Sequence, residues 1–266
     1  MITYPLIDPV FLKLGPLEFR WYGLTYVLGL FLPFLIFRKE FEQRFKMNSE
    51  DRSTLMLYIM LGIILGGRLG YVFIYNFTET VTNPLSIIML NKGGMSYHGG
   101  AIGAMAAMLF YAKKYNKAPL QLLDILGIFS TIGIGLGRLA NFINAELYGR
   151  VTTVSWGMIF PGAGPFPRHP SQLYEAFFEG LVLFLILFFI KKKNSLKDGQ
   201  LFATYIFLYG LFRFFIEFTR EPDAHIGFIF SIFSLGQLLC FIWMVIGAGL
   251  FLNLYYSRQP AKKRKP

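Results

Sequence analysis

Tyr209, Arg213, Glu217 and Arg220 follow one another at spacings of four, four and three. On a helix, that spacing lines one face. They lie in or beside an apolar run, where a guanidinium costs several kcal/mol unless it is paired or wet. Two readings fit: an ion-pair ladder that ties helices together, or an anion site whose arginines are oriented by a carboxylate. A second polar segment runs from Gly137 through Arg138, Asn141, Asn144, Glu146, Tyr148 and Gly149 to Arg150. Amides such as Asn141 and Asn144 satisfy backbone freed at a helix end. The added Glu146 and the two arginines exceed what a cap needs, and point to a site. A third feature is His98, which follows Gly94-Met95-Ser96-Tyr97 and precedes Gly99-Gly100. It fits either a satisfied interfacial histidine or a base near neutral pH, and the flanking glycines let another group approach its ring. Arg168-His169-Pro170-Ser171 reads as a helix-start signal with Ser171 as the cap.

These residues are embedded in a chain that is 55% apolar and only 15% charged. A soluble domain is roughly a quarter charged, so a soluble globule and a disordered chain are both excluded. The class is a polytopic, all-α integral membrane protein. Seven apolar runs predict about seven spans, over 20–37, 54–75, 97–112, 120–143, 171–190, 200–218 and 228–255. The segments 38–52, 113–117, 191–197 and 258–265 hold seventeen Lys and Arg, against six in 1–20, 76–96, 144–170 and 219–227. The richer side faces the cytoplasm. This puts the N-terminus outside and the C-terminus in the cytoplasm, and explains the net charge of +11 as a topology signal rather than a nucleic-acid footprint. The first apolar run lacks a basic start and a small-residue cleavage site, and reads as a retained helix. The expected organisation is one membrane-embedded catalytic domain over 1–257, with an outer loop over 144–170, and a basic cytoplasmic tail over 258–266.

Span orientation gives the polar residues a depth. Arg68, Arg138 and Arg213 fall in the outer halves of their spans, and His98 and Tyr22 open spans at the outer face. Glycines at intervals of four (Gly62, Gly66 and Gly70; Gly99 and Gly103; Gly133 and Gly137) predict close helix packing. Gly135-Leu136-Gly137-Arg138-Leu139-Ala140 matches a loose dinucleotide fingerprint, but no strand precedes it. The single cysteine, Cys240, lies in an apolar run and reads as a buried small hydrophobe. No metal-ligand spacing occurs. Phosphate-cradling, nucleophile-elbow and zinc-protease motifs are absent.

The segments Arg20-Trp21-Tyr22-Gly23, Gly66-Gly67-Arg68-Leu69-Gly70-Tyr71, His98-Gly99-Gly100, Gly137 to Arg150, Arg168 to Glu175 and Tyr209-Gly210-Leu211-Phe212-Arg213 together resemble the bacterial prolipoprotein diacylglyceryl transferase family. The stretch 137–150 resembles the family signature, with Ala140 where that signature usually has Gly. The resemblance implies transfer of the diacylglyceryl group of phosphatidylglycerol to the lipobox cysteine thiol of a preprolipoprotein. A thioether forms and glycerol phosphate leaves; this is the first step of bacterial lipoprotein maturation and uses no cofactor or metal. It implies a multi-pass protein of the bacterial inner membrane, with the active site toward the periplasmic leaflet. Its partners would be phosphatidylglycerol, the lipobox-containing signal peptide and the lipid bilayer, with no nucleic acid.

By matching positions, the resemblance assigns Arg138 and Arg213 to the lipid phosphate and His98 to the base. Tyr22, Asn141, Glu146, Gly149 and Tyr209 match residues the family relies on. Tyr97, beside His98, and Glu217 and Arg220, on the Arg213 face, complete the expected substrate-binding set. The alternative function is an anion or lipid transporter that uses an intramembrane arginine cluster. It predicts polar residues through the full membrane depth, whereas the inner halves are nearly all apolar apart from Asp124.

Overall fold

A computed structural model describes residues 2–89, 94–221, 228–229 and 233–257; only the backbone is described for Tyr97 and seven other residues, and the tail 258–266 and His225 lie outside. Short strands open the chain: β1 (Ile2–Thr3), β2 (Val10–Leu14) and β3 (Leu17–Arg20). Gly15, at φ +60°, makes the tight turn between β2 and β3. The chain then enters α1 (Trp21–Ile36), followed by α2 (Arg38–Gln43), α3 (Ser49–Tyr75), α4 (Phe77–Thr82), α5 (Tyr97–Lys114) and α6 (Pro119–Ile143). After β4 (Met158–Ile159) comes one continuous helical run. It comprises α7 (Ser171–Glu175), a π-helical segment (Ala176–Val182) and α8 (Leu183–Lys193). α9 (Gln200–Ile216), the antiparallel strands β5 (Phe228–Ile229) and β6 (Phe233–Ser234), and α10 (Leu235–Tyr256) complete the described chain.

Five helical stretches are long and apolar enough to cross a membrane: Ser49–Phe73, Pro119–Ile143, Ser171–Lys193, Gln200–Thr219 and Gly236–Tyr256. Trp21–Ile36 is a shorter apolar helix. Their outer faces expose Leu65, Leu181, Phe189, Phe241 and Val245, a pattern that suits lipid and not water. The seven expected runs each form helix, with two shifted starts. α3 begins at Ser49, because Asn48 and Asp51 form a reciprocal capping box there. The last helix begins at Leu235, not 228, because the β5–β6 pair precedes a second capping box between Ser234 and Gln237. The small strands β1–β6 are departures from an all-helical chain.

The molecule comprises two compact units, 1–33 with 127–266, and 34–126. In the second, α3 and α5 pack backbone to backbone. A methyl on Gly70 would lie 2.8 Å from the Gly99 Cα, and one on Gly66 would lie 2.8 Å from the Gly103 Cα, as the glycine spacing predicted. Arg68, buried in this unit, donates to the carbonyls of Ile87 (2.9 Å), Gly94 (3.0 Å), Met89 (3.2 Å) and Ser86. Its charge anchors the segment that follows α4.

In the first unit, the close pairs are Gly29 with Gly133, and Gly135 with Gly180. A methyl on Gly133 or on Gly137 would meet nothing; Gly133 takes part only through its Cα, which Gly29 approaches, and Gly135 makes the tighter contact. α9 and α10 close on each other where Gly210 faces the Cys240 carbonyl and Gly247 faces Phe207. Cys240 is buried, as its apolar run predicted.

Candidate functional site

The last two turns of α6 carry Arg138 and Asn141, and Tyr4 holds the helix end. The Tyr4 hydroxyl donates to the carbonyls of Phe142 (2.7 Å) and Ile143 (2.9 Å). The chain then turns sharply through Ala145 (φ +53°) and Leu147 (φ +58°). Non-glycine residues pay for that left-handed conformation, and such strain concentrates at functional segments. Glu146 lies between them. Its carboxylate accepts from Asn141 Nδ2 (2.8 Å) and Asn144 Nδ2 (3.3 Å), and Arg138 Nη1 donates to Asn141 Oδ1 at 3.4 Å. Arg138, Asn141 and Glu146 thus form one chain of polar contacts.

The centre is a carboxylate that sequence reasoning did not single out. Glu175, fully buried at the junction of α7 and the π-helical segment, meets three guanidiniums. Oε2 lies 2.7 Å from Arg138 Nε and 2.5 Å from Arg213 Nη1, and Oε1 lies 2.6 Å from Arg220 Nη1. Arg213 also reaches Glu217 at 3.1 Å and Glu179 at 3.6 Å, and Arg220 Nε reaches Glu217 at 3.5 Å. Glu217 in turn accepts from the Ser234 hydroxyl at 3.0 Å. Arg213, Glu217 and Arg220 form the predicted face, and α6 and the α7 segment complete a cluster around it. Removing one partner of a buried pair of this kind costs roughly 3–5 kcal/mol, because the other charge is left uncompensated.

The π-helical segment contributes to this placement. π-Turns are rare and often mark functional sites. Here the segment keeps Glu175 and Glu179 toward Arg213 while Gly180 packs on Gly135. An open apolar cleft lined by Thr131, Gly135, Leu136, Leu139, Ala176 and Gly180 runs alongside. Leu139 and Ala176 directly follow Arg138 and Glu175 in sequence.

The outer loop is stitched to the end of α9. Gly149 pairs with Arg220 in an isolated antiparallel bridge, and its N–H donates to the His169 carbonyl at 2.8 Å. A methyl on Gly149 would collide with the Thr219 carbonyl and lie 2.9 Å from the His169 Cβ. Only glycine fits there. Arg150 Nε donates to the Arg220 carbonyl at 2.5 Å. Arg168 bonds Glu221 at 2.9 Å and lies over the Tyr148 ring. His169 Nδ1 lies 3.2 Å from the Tyr174 hydroxyl, which accepts from Trp156 Nε1 at 2.6 Å. Burial holds the His169 imidazole below its ordinary pKa. Ser171, expected as a cap, is instead the first helical residue. Pro170 holds the cap position, and the Ser171 hydroxyl donates to the Leu147 carbonyl at 3.1 Å.

The remaining expected residues are distributed as follows. Tyr22, in the first turn of α1, shares a 3.0 Å hydrogen bond with Tyr26 and lies within Coulombic range of Arg138 and Glu146. Tyr209 stacks on Tyr205 and lies within Coulombic range of Arg213. His98 belongs to the other compact unit. It sits half-buried in the first turn of α5, where the Ser96 hydroxyl caps the helix by accepting from the Gly99 N–H. The Tyr97 side chain lies outside the described residues. Glu175 and Glu179 had one signal in the sequence: two carboxylates four apart inside an apolar run require cations.

Comparison with known proteins identifies the family. The family model "Prolipoprotein diacylglyceryl transferase" matches residues 9–253. A phosphatidylglycerol–prolipoprotein diacylglyceryl transferase of Geobacter sulfurreducens is 48% identical over 92% of this chain and 95% of its own. Proteins with the same name from Photobacterium profundum and Pseudomonas paraeruginosa are 45% and 42% identical, and cover 97% and 100% of this chain and 97% and 99% of their own. The chain belongs to the prolipoprotein diacylglyceryl transferase family.

Proposed function

We propose that this chain transfers the diacylglyceryl group of phosphatidylglycerol to the lipobox cysteine of a preprolipoprotein, with the Arg138–Arg213–Arg220 cluster holding the lipid phosphate. The convergence of Arg138 and Arg213 on one buried carboxylate, 2.7 and 2.5 Å away, carries this reading. Family membership supports the activity, and the names of the relatives supply the two substrates.

The chemistry follows from the charge change. The thiol sulfur forms a bond to the glyceryl carbon that carries the phosphate, and the bond from that carbon to the phosphate oxygen breaks. The leaving glycerol phosphate takes the bonding electrons. A phosphodiester carries one negative charge, and the departing monoester carries about two near neutral pH. Arginines that meet the added charge bind the transition state better than the ground state, which accelerates the step. Arginine suits the task because its planar fork donates bidentately and stays charged. Asn141 and Glu146 orient Arg138, and Glu217 orients Arg213 and Arg220. Gly149 holds the loop against the strand-like end of α9. The thiol proton goes to a base, and His98 is the proposed acceptor on the chemistry of its motif. Tyr22, Tyr97 and Tyr209 are proposed to line the substrate. The cleft along Leu139 and Ala176 offers an acyl chain an apolar wall next to the arginines.

The proposed setting is the bacterial inner membrane. Seven spans over 1–257 form one membrane-embedded domain, with the N-terminus outside, the basic tail 258–266 in the cytoplasm and the site toward the periplasmic leaflet. The Lys and Arg asymmetry of the loops supports that orientation, and a translocated lipobox presents its cysteine on that side. The test is purified protein in detergent with phosphatidylglycerol and a lipobox peptide. The expected result is a diacylglyceryl mass gain on the peptide cysteine, with release of glycerol phosphate. No gain, with anion flux in proteoliposomes, would favour a transporter.

A further inference from the structure

The buried carboxylate at the centre of the arginines has a role of its own. Glu175 is fully buried, whereas the side chains of Arg138, Arg213 and Arg220 keep 19, 14 and 15% exposure. The carboxylate is therefore sealed from solvent, whereas each guanidinium side chain keeps some exposure. Arg138 spends Nε on Glu175 and Nη1 on Asn141. Arg220 spends Nη1 on Glu175 and Nε on Glu217. Among the described residues, no acceptor is bonded to Nη2 of either one.

The three cations come from three segments: α6, α9 and the residue after the short helical turn Glu217–Thr219. Three like charges this close repel unless an anion sits among them. Both Glu175 oxygens are needed, since Oε2 takes two guanidiniums and Oε1 the third. Glu179 cannot replace it, because its nearer oxygen lies 3.6 Å from Arg213 and neither oxygen makes a hydrogen bond among the described residues.

We propose that Glu175 is a positioning residue of the transfer reaction, fixing the three guanidiniums from below in a fan whose outer N–H groups receive the phosphate. The proposal rests on the reading of the arginines as the phosphate site. Glu175→Gln keeps the volume but turns a donating amide toward the guanidiniums. Glu175→Asp keeps the charge but draws it back by one methylene, out of reach of all three cations at once.

The experiment is steady-state transfer by both variants, with the phospholipid and the peptide varied separately, alongside melting in detergent. Misplacement of the fan by about 1 Å costs on the order of a hundredfold. Both variants are therefore expected to lose at least that much kcat/KM for phosphatidylglycerol while the KM for the peptide stays within about twofold. Glu175→Asp is expected to fold like the parent. Near-parental rates in either variant would overturn the proposal. So would failure of both variants to fold, or a rise in the peptide KM as large as the rise for phosphatidylglycerol, since each assigns Glu175 a general structural role. Arg138→Gln is run in parallel. Activity in that variant would sink the phosphate reading itself, whereas an inactive Arg138→Gln beside an active Glu175→Gln would sink only the role of Glu175.

Discussion

Gly135 of α6 and Gly180 of the π-helical segment meet backbone to backbone, and a methyl added at Gly180 would lie 2.6 Å from the Gly135 Cα. Arg138 lies three residues beyond one glycine and Glu175 five before the other, so this contact sets the separation at which their 2.7 Å bridge forms. Gly180→Ala pushes the two segments apart. Overpacking of this kind costs about 1–3 kcal/mol. A melting temperature in detergent lowered by several degrees is expected, together with slower transfer. An unchanged melting temperature would show that the helices separate without strain.

Gly149→Ala tests the seam between the outer loop and the end of α9. A Cβ there meets the Thr219 carbonyl and the His169 side chain, and no flexible side-chain tip is available to yield. Arg220 hangs from this seam through the Gly149 bridge and the Arg150 bond to its carbonyl. The variant is expected to lose about 1–3 kcal/mol of stability and to transfer more slowly. Limited proteolysis within 144–170 reads the loosened loop directly.

Much of this arrangement is legible in the sequence, and its limits are physical. The run 120–143 corresponds to a helix at Pro119–Ile143, and 200–218 to Gln200–Thr219, because long apolar segments in lipid have few alternatives to helix. Residues 228–234 read as the start of a span because short apolar strands and apolar helix turns share a composition. The structure instead pairs Phe228–Ile229 antiparallel with Phe233–Ser234, and the helix starts at its Ser234–Gln237 cap. Arg138 and Arg213 are expected at one depth, and the structure brings both to one carboxylate. That shared partner does not follow from depth, because the pairing of Glu175 with residues 37, 38 and 45 positions away is decided by which helices pack together. Ser171 looked like a cap because its residue type suits one. The neighbouring loop instead offers its hydroxyl the Leu147 carbonyl.

His169 gives the outer loop a pH dependence. Burial lowers its pKa below the ordinary 6.5, so the folded loop favours the neutral ring. As pH falls through this range the unfolded chain binds the proton more readily than the fold does. The contribution to stability is fully present above pH 6.5 and is lost as pH falls through the lowered value. Melting temperatures from pH 8 to pH 5 are expected to fall more steeply for the parent than for His169→Gln. Identical slopes would remove His169 from the account.

If His98 accepts the thiol proton, His98→Gln lowers transfer by on the order of 10²–10⁴-fold and flattens the acidic limb of the pH–rate profile. The rate at several pH values, with phosphatidylglycerol saturating, makes the comparison. A variant that keeps most of its rate across pH would send the proton to another acceptor.

The central claim is that guanidiniums from separate helices jointly hold the lipid phosphate. Lysine keeps the charge of Arg138 or Arg213 but lacks the planar fork that bonds several partners at once. The decisive measurement is the initial rate of diacylglyceryl mass gain on a lipobox peptide for Arg138→Lys and Arg213→Lys, each checked for a parental melting temperature. Loss of at least about a hundredfold in both folded variants is the predicted result. Half or more of the parental rate in either folded variant would contradict it.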